Sequence, residues 1–214
     1  MLVHGAFIPP SAVLEALDDV VRSVSVPVEA ASAEPQRGLL GRFGRHRDVA
    51  EESDEVPAML EHVPVARMSM PITGFGNLTT SDANRLSDAV STAAAGWPAP
   101  TVRFAGGTAL DFPGDWSVWA KLEGDLDAVG AIARGVTQSV QGLGYFVDRR
   151  QFRPMLSVAT VTPATTGPYL QAVVDALEAF RGEEWTMAIS LTRETFVDGR
   201  PALTEFKRIP LASS

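Results

Sequence analysis

Two short apolar runs carry the side chains best suited to chemistry. Val65 to Thr73 reads VARMSMPIT, and Phe152 to Thr160 reads FRPMLSVAT. Alternation along an extended strand puts Arg67 and Ser69 on one face of the first run, and Met155 and Ser157 on one face of the second. A serine hydroxyl both donates and accepts hydrogen bonds, and a guanidinium is a planar cation that keeps its proton at any ordinary pH. Two such strands read as two halves of one site. The same residues also suit a plain packed sheet, with Arg67 solvated or salt-bridged, the serines merely small, and Met155 as core filler.

The other candidates are few. Arg150 and Arg153 flank the second strand, as site cations or as ordinary solvation of the preceding loop. The three histidines are His4, on the first expected strand, His46, and His62, five residues before Arg67 and near the mouth of the expected site. No spacing suggests a metal site, and no metal or cofactor is expected.

The elements that position these residues follow from periodicity. A strand from Leu2 to Ile8 ends at Pro9-Pro10, and a helix follows with Ser11 as an early cap and Val13, Leu17, Val20 and Val24 along one face. Residues 29–56 lack periodicity. A basic block of Arg37, Arg42, Arg45 and Arg47 precedes an acidic block from Asp48 to Glu55, which reads as an inserted, flexible, charged loop. That loop is either a lid or arm, a protein-contacting segment, or a self-neutralising solvated stretch. Its Gly38, Gly41 and Gly44 are not a phosphate loop, because no Lys-Ser/Thr pair follows.

Beyond the strand from Pro64 to Thr73, Thr79-Thr80-Ser81 caps a helix bearing Ala83, Leu86 and Val90. Strands follow at Thr101–Ala105 and Trp116–Leu122, then a helix from Asp125 to Gln141 that Gly142 and Gly144 end. After the second key strand, Thr165-Thr166 and Pro168 open a helix lined by Leu170, Val173, Val174, Leu177 and Phe180. Two closing strands, Glu184–Glu194 and Ala202–Ile209, meet at an Asp198-Gly199 turn. The irregular alternation of strand pairs and helices implies α+β, with helices packed outside sheets rather than a doubly wound parallel sheet, and 214 residues suit one domain of two lobes or two small domains.

Composition bounds the partners. The net charge is −8, which disfavours broad attraction to nucleic acid and argues against duplex DNA. The chain has no cysteine, which suits a reducing cytoplasm. No apolar run approaches a bilayer span, and no membrane partner is expected.

In this order of elements the chain resembles the 2H phosphoesterase superfamily, in its bacterial 2'-5' RNA ligase (LigT-like) branch. That family carries two His-φ-Thr/Ser-φ motifs on facing strands of a two-lobed fold. Arg67-Met68-Ser69-Met70-Pro71-Ile72-Thr73-Gly74 is similar to the first, and Phe152-Arg153-Pro154-Met155-Leu156-Ser157-Val158-Ala159 to the second. The Phe7-Ile8-Pro9-Pro10 start, Trp185, and the Ile209-Pro210-Leu211 close agree with the family as well. The resemblance implies a single two-lobed domain over residues 1–214, with antiparallel sheets lining a central cleft, and a nucleotide or RNA ligand with a 2',3'-cyclic phosphate or 2'-5' linkage. It also implies a general acid and a general base at positions 67 and 155, where this chain has Arg67 and Met155. Carried over residue by residue, it leaves Arg67, Ser69, Ser157, Arg150 and Arg153 as phosphate contacts and little or no catalysis. Two alternatives remain: an active cyclic phosphodiesterase relying on His4 or His62, and a protein-interaction scaffold whose cleft is vestigial.

Overall fold

The computed structural model describes residues 1–25, 58–148, 151–197 and 200–212. The expected insert at 29–56, Arg150, and the Asp198-Gly199 turn lie outside the described residues.

The elements run β1 (Leu2–Phe7), α1 (Ser11–Ser23), β2 (Leu60–His62), β3 (Met70–Asn77), α2 (Thr80–Ala94), β4 (Thr101–Ala109), β5 (Ser117–Gly124), α3 (Leu126–Ser139), β6 (Met155–Val161), α4 (Gly167–Ala179), β7 (Trp185–Thr186), β8 (Ile189–Val197) and β9 (Arg200–Ile209). They build two antiparallel sheets, one ordered β3-β1-β8-β9 and the other β2-β6-β5-β4-β7. The α+β class and the two-lobed arrangement are as the sequence implies.

Helices cover one face of each sheet. Helix α3 packs on the four-stranded sheet, where a Cβ built on Gly5 would meet Val136 at 3.8 Å. Helix α4 packs on β4, so closely that a Cβ on Gly107 would fall 2.4 Å from Cβ of Leu177. The helix stripes recur at i, i+3 or i+4 spacing: Leu17 and Val21 on α1, Val129, Ala133 and Val136 on α3, and Tyr169, Val173 and Leu177 on α4 are all buried. Each Leu or Val among them contributes roughly 1.5–3 kcal/mol by leaving water. The stripe on α1 is rotated from the expected one: Leu14 and Val21 are buried, whereas Val20 is only half-buried. Ser11 is the first helical residue rather than the cap, and Pro10 precedes it without a side-chain bond. Caps elsewhere are as expected. Thr79 accepts from the Asp82 N–H at 3.1 Å, and Thr166 from the Tyr169 N–H at 3.4 Å.

Two strand expectations are corrected. Glu184–Glu194 is not one strand: Trp185–Thr186 pairs with β4 in the larger sheet, and Ile189 onward pairs with β1 in the smaller. The chain changes lobes between them. Val65–Thr73 is not one strand either. Val65–Arg67 is a 3₁₀ turn, closed by bonds from Arg67 N to Pro64 O (2.7 Å) and Met68 N to Val65 O (3.1 Å), and β3 begins only at Met70. Pro64 fixes an extended start to the turn, and Pro71 lies on an edge strand, where its missing N–H leaves no gap in the ladder. No helix among the described residues is long and apolar enough to cross a membrane.

Candidate functional site

Register decides which side chains face the cleft between the helix-free faces. On the smaller sheet, His4 pairs with Gly74 on β3 and Thr192 on β8, on the side away from α3. A Cβ on Gly74 would sit 3.4 Å from Nδ1 of His4 and 4.0 Å from Cβ of Asp148. His4 and Asp148 therefore crowd the same point of the cleft wall. Asp148 belongs to the segment leading into β6, which is strapped along the free edge of β3. Its N–H donates to Gly74 O at 3.0 Å, and the Thr73 hydroxyl donates to Asp148 O at 3.0 Å.

On the larger sheet, Ser157 stands directly opposite Trp119, and Met155 opposite Lys121. Alternation on β6 holds: Leu156 and Val158 are buried while Met155 and Ser157 are half-buried. Leu156 pairs with Ala120, which pairs with Gly107 under α4, so Ser157 and Met155 lie on the helix-free side.

Arg67 and Ser69 are not positioned by strand alternation. The buried Met68 anchors the 3₁₀ turn, and its neighbours are left at the surface. Both line a cavity of about 240 Å³ shared with Ile8, Met68, Thr192 and Leu203. Thr192 was not legible as a site residue. It is 1% exposed, and its hydroxyl has no hydrogen-bond partner among the described residues. A buried donor without a partner is costly unless something else satisfies it. The side chains of Arg67, Ser69 and Ser157 likewise make no hydrogen bond or ion pair among the described residues.

Arg153 is exposed, with its guanidinium 3.7 Å above the ring centroid of Phe112. It forms no ion pair among the described residues, whereas Lys121 nearby is paired with Glu178 at 3.6 Å. Ser157 and Arg153 thus lie on one lobe, and Arg67, Ser69 and His4 are placed by the other sheet and the turn before it. Phe7 and Phe152 meet edge to face at 5.5 Å where the lobes join.

His62 is a correction. It pairs with Ala159, whose side of the sheet carries the helices, so it does not reach the cleft mouth. Its Nδ1 lies 3.9 Å from Oδ1 of Asp18 on α1, and Asp18 in turn accepts from Arg22 at 2.7 Å. Burial lowers the His62 pKa, the Arg22 charge lowers it further, and Asp18 opposes both. The folded state therefore holds the neutral ring. Its contribution to stability is complete above the unfolded value near pH 6.5 and is lost as pH falls through the lowered folded value. A urea-unfolding series from about pH 7 to pH 5 should show stability falling in the wild type and less steeply in His62→Asn. Equal slopes would remove this role from His62.

A larger cavity, about 870 Å³, lies under α3, lined by Ile72, Arg134, Gln138, Tyr145, Asp148 and Phe152 among others. It includes none of the expected contacts, and Arg134 is its one cation among the described residues. No group of three or more potential metal ligands occurs among the described residues.

Solved structures share this fold. The TT0787 protein of Thermus thermophilus matches with a TM-score of 0.61 at 16% identity, covering 100% of this chain and 99% of that one. E. coli LigT complexed with 3'-AMP matches with a TM-score of 0.61 at 14% identity, over 99% of this chain and 98% of that one. LigT complexed with ATP gives 0.56 at 14% identity, over 99% and 98%. The likeness is one of architecture. No family model matches the sequence, and no curated protein matches it.

Proposed function

We propose that the protein is a 2'-5' RNA ligase/cyclic-phosphodiesterase-like binder that holds the phosphate of a nucleotide or RNA end in its cleft and turns it over little or not at all. The observation that carries this reading is the set of unspent donors. Arg67 and Ser69 line a cavity with Thr192, Ser157 lies on the helix-free side of the larger sheet, and none of the three side chains has an internal partner among the described residues. A guanidinium fork with two hydroxyls is a fitting donor set for phosphate oxygens. Solved LigT complexes with 3'-AMP, NADP+, ATP and phosphate give the shared architecture a precedent for such ligands.

The test is binding of a short RNA ending in a 2',3'-cyclic phosphate, at low salt. One charge-assisted contact is worth roughly 1.5–3 kcal/mol, so Arg67→Ala should weaken binding about 10- to 100-fold. Unchanged affinity in Arg67→Ala, or no binding by the wild type, would remove this reading and leave the scaffold role ahead. A second reading, an active phosphodiesterase, is favoured by one observation: His4 faces the cleft beside Asp148.

A further inference from the structure

The helix-free face of the larger sheet carries a built aromatic surface beside Ser157. The rings of Phe112 and Trp119 lie 6.2 Å apart at 42°, and Arg153 covers the Phe112 ring at 3.7 Å. Trp119 is the direct cross-strand partner of Ser157. Its side of β5 is opposite the core: Val118 and Ala120 on either side of it are fully buried, and Trp119 is not.

Trp119 is held in place without help from a ligand. Its Nε1–H donates to Asp115 at 2.7 Å, and the same carboxylate accepts the N–H groups of Ser117 at 2.9 Å and Asp111 at 3.2 Å. Burial works to raise the Asp115 pKa, and the bonds from Trp119, Ser117 and Asp111 together outweigh it. The carboxylate that clamps the hairpin tip therefore stays charged at neutral pH. An indole whose polar edge is satisfied and whose orientation is fixed presents a flat apolar face at little entropic cost on binding. Arg153 adds a cation with no carboxylate partner among the described residues at the edge of that face. A flat π-system joined to an anion fits such a surface, and a nucleotide has both within one sugar's length.

We infer that Phe112, Trp119 and Arg153 form the base subsite of the cleft, where a nucleobase stacks on Trp119 while the phosphate attached through its sugar meets Ser157. This rests on the reading that the cleft binds a nucleotide phosphate, and it assigns the base of that ligand to named residues of the larger sheet. Stacking on an aromatic side chain tolerates every base, because every base has a π-face. The subsite therefore discriminates the presence of a base rather than its identity.

The experiment compares adenosine 2',3'-cyclic phosphate with ribose 2',3'-cyclic phosphate, which lacks the base, by calorimetry on the full chain. Wild type, Trp119→Ala, Trp119→Phe and Arg67→Ala are titrated with both. The nucleotide should bind about 5- to 100-fold more tightly than the base-free ester. Trp119→Ala should erase that ratio and Trp119→Phe should keep most of it, while the base-free ester binds the wild type and both Trp119 variants alike. Equal affinity of the wild type for the two esters overturns the base subsite and leaves the phosphate reading standing. A Trp119→Ala protein that weakens both esters equally overturns it too, because the effect is then structural. Binding of neither ester by the wild type overturns the phosphate reading, and the subsite with it. The wild-type comparison decides even if a variant fails to fold.

Discussion

Adenosine 2',3'-cyclic phosphate incubated with this protein at neutral pH is expected to remain closed. Opening the ring needs a proton removed from the attacking water and a proton delivered to the leaving oxygen. A well-placed acid or base contributes roughly 10²–10⁴-fold each. At the two positions where the family resemblance implies histidines, Arg67 cannot accept a proton and Met155 has none to exchange. Losing both groups removes about 10⁴-fold at the least. The described histidines do not restore the pair. His62 lies on the helix side against Asp18, and His4 alone faces the cleft. One imidazole can serve as acid or base in a given step, but a second group must take the other role. Phosphorus NMR of the incubated nucleotide measures this directly. Ring opening that survives Arg67→Ala and disappears in His4→Ala would overturn the expectation and make His4, beside Asp148, the catalytic group.

What the sequence made legible depended on how local the signal was. Helix α4 announces itself through the Thr166 cap, Pro168 and a stripe at i, i+4, all within a few turns of chain. Strand β6 does so through alternation, and Ser157 emerges on the face that alternation gives it. The run from Val65 to Thr73 also alternates, yet its first three residues close a 3₁₀ turn with their own hydrogen bonds, and the face argument for Arg67 and Ser69 fails there. Both line the cavity beside Thr192, on either side of the buried Met68. The switch of sheets after Thr186 leaves no mark in an apolar stretch that reads as strand throughout. His62 sits on a strand of three residues, too short to show a period, so its partner Asp18 and its side of the sheet emerge only from tertiary packing. Thr192 looked like any strand threonine, and its missing partner is a property of the assembled sheet.

Gly124→Ala should be the most damaging single methyl addition in the described fold. Gly124 closes β5 with φ at +120°, a backbone state that L side chains rarely adopt. A Cβ there would also lie 2.4 Å from the Thr101 carbonyl oxygen and 3.0 Å from the Val102 Cα, both main-chain atoms that no rotamer change can move aside. That carbonyl accepts from the Asp125 N–H at 3.2 Å, and the Asp125 carboxylate accepts from the Thr101 N–H at 3.0 Å. The methyl would part this clamp between the start of β4 and the start of α3. Backbone strain of about 1–3 kcal/mol and overpacking of about 1–3 kcal/mol combine to roughly 3–5 kcal/mol. Against a total stability on the order of 5–15 kcal/mol, that is enough to lower Tm by on the order of 10 °C or to leave the chain unfolded. Gly130→Ala, on α3, is the matching control. Its nearest neighbour is the flexible tip of Arg134 at 3.4 Å, so ordinary helix propensity should prevail and stabilise by about 0.5–1 kcal/mol. Urea unfolding of the two variants should move in opposite directions from the wild type. A Gly124→Ala protein as stable as the wild type would mean that β5 does not meet β4 in this register, and the placement of Trp119 opposite Ser157, which depends on the same strand, would need to be redrawn.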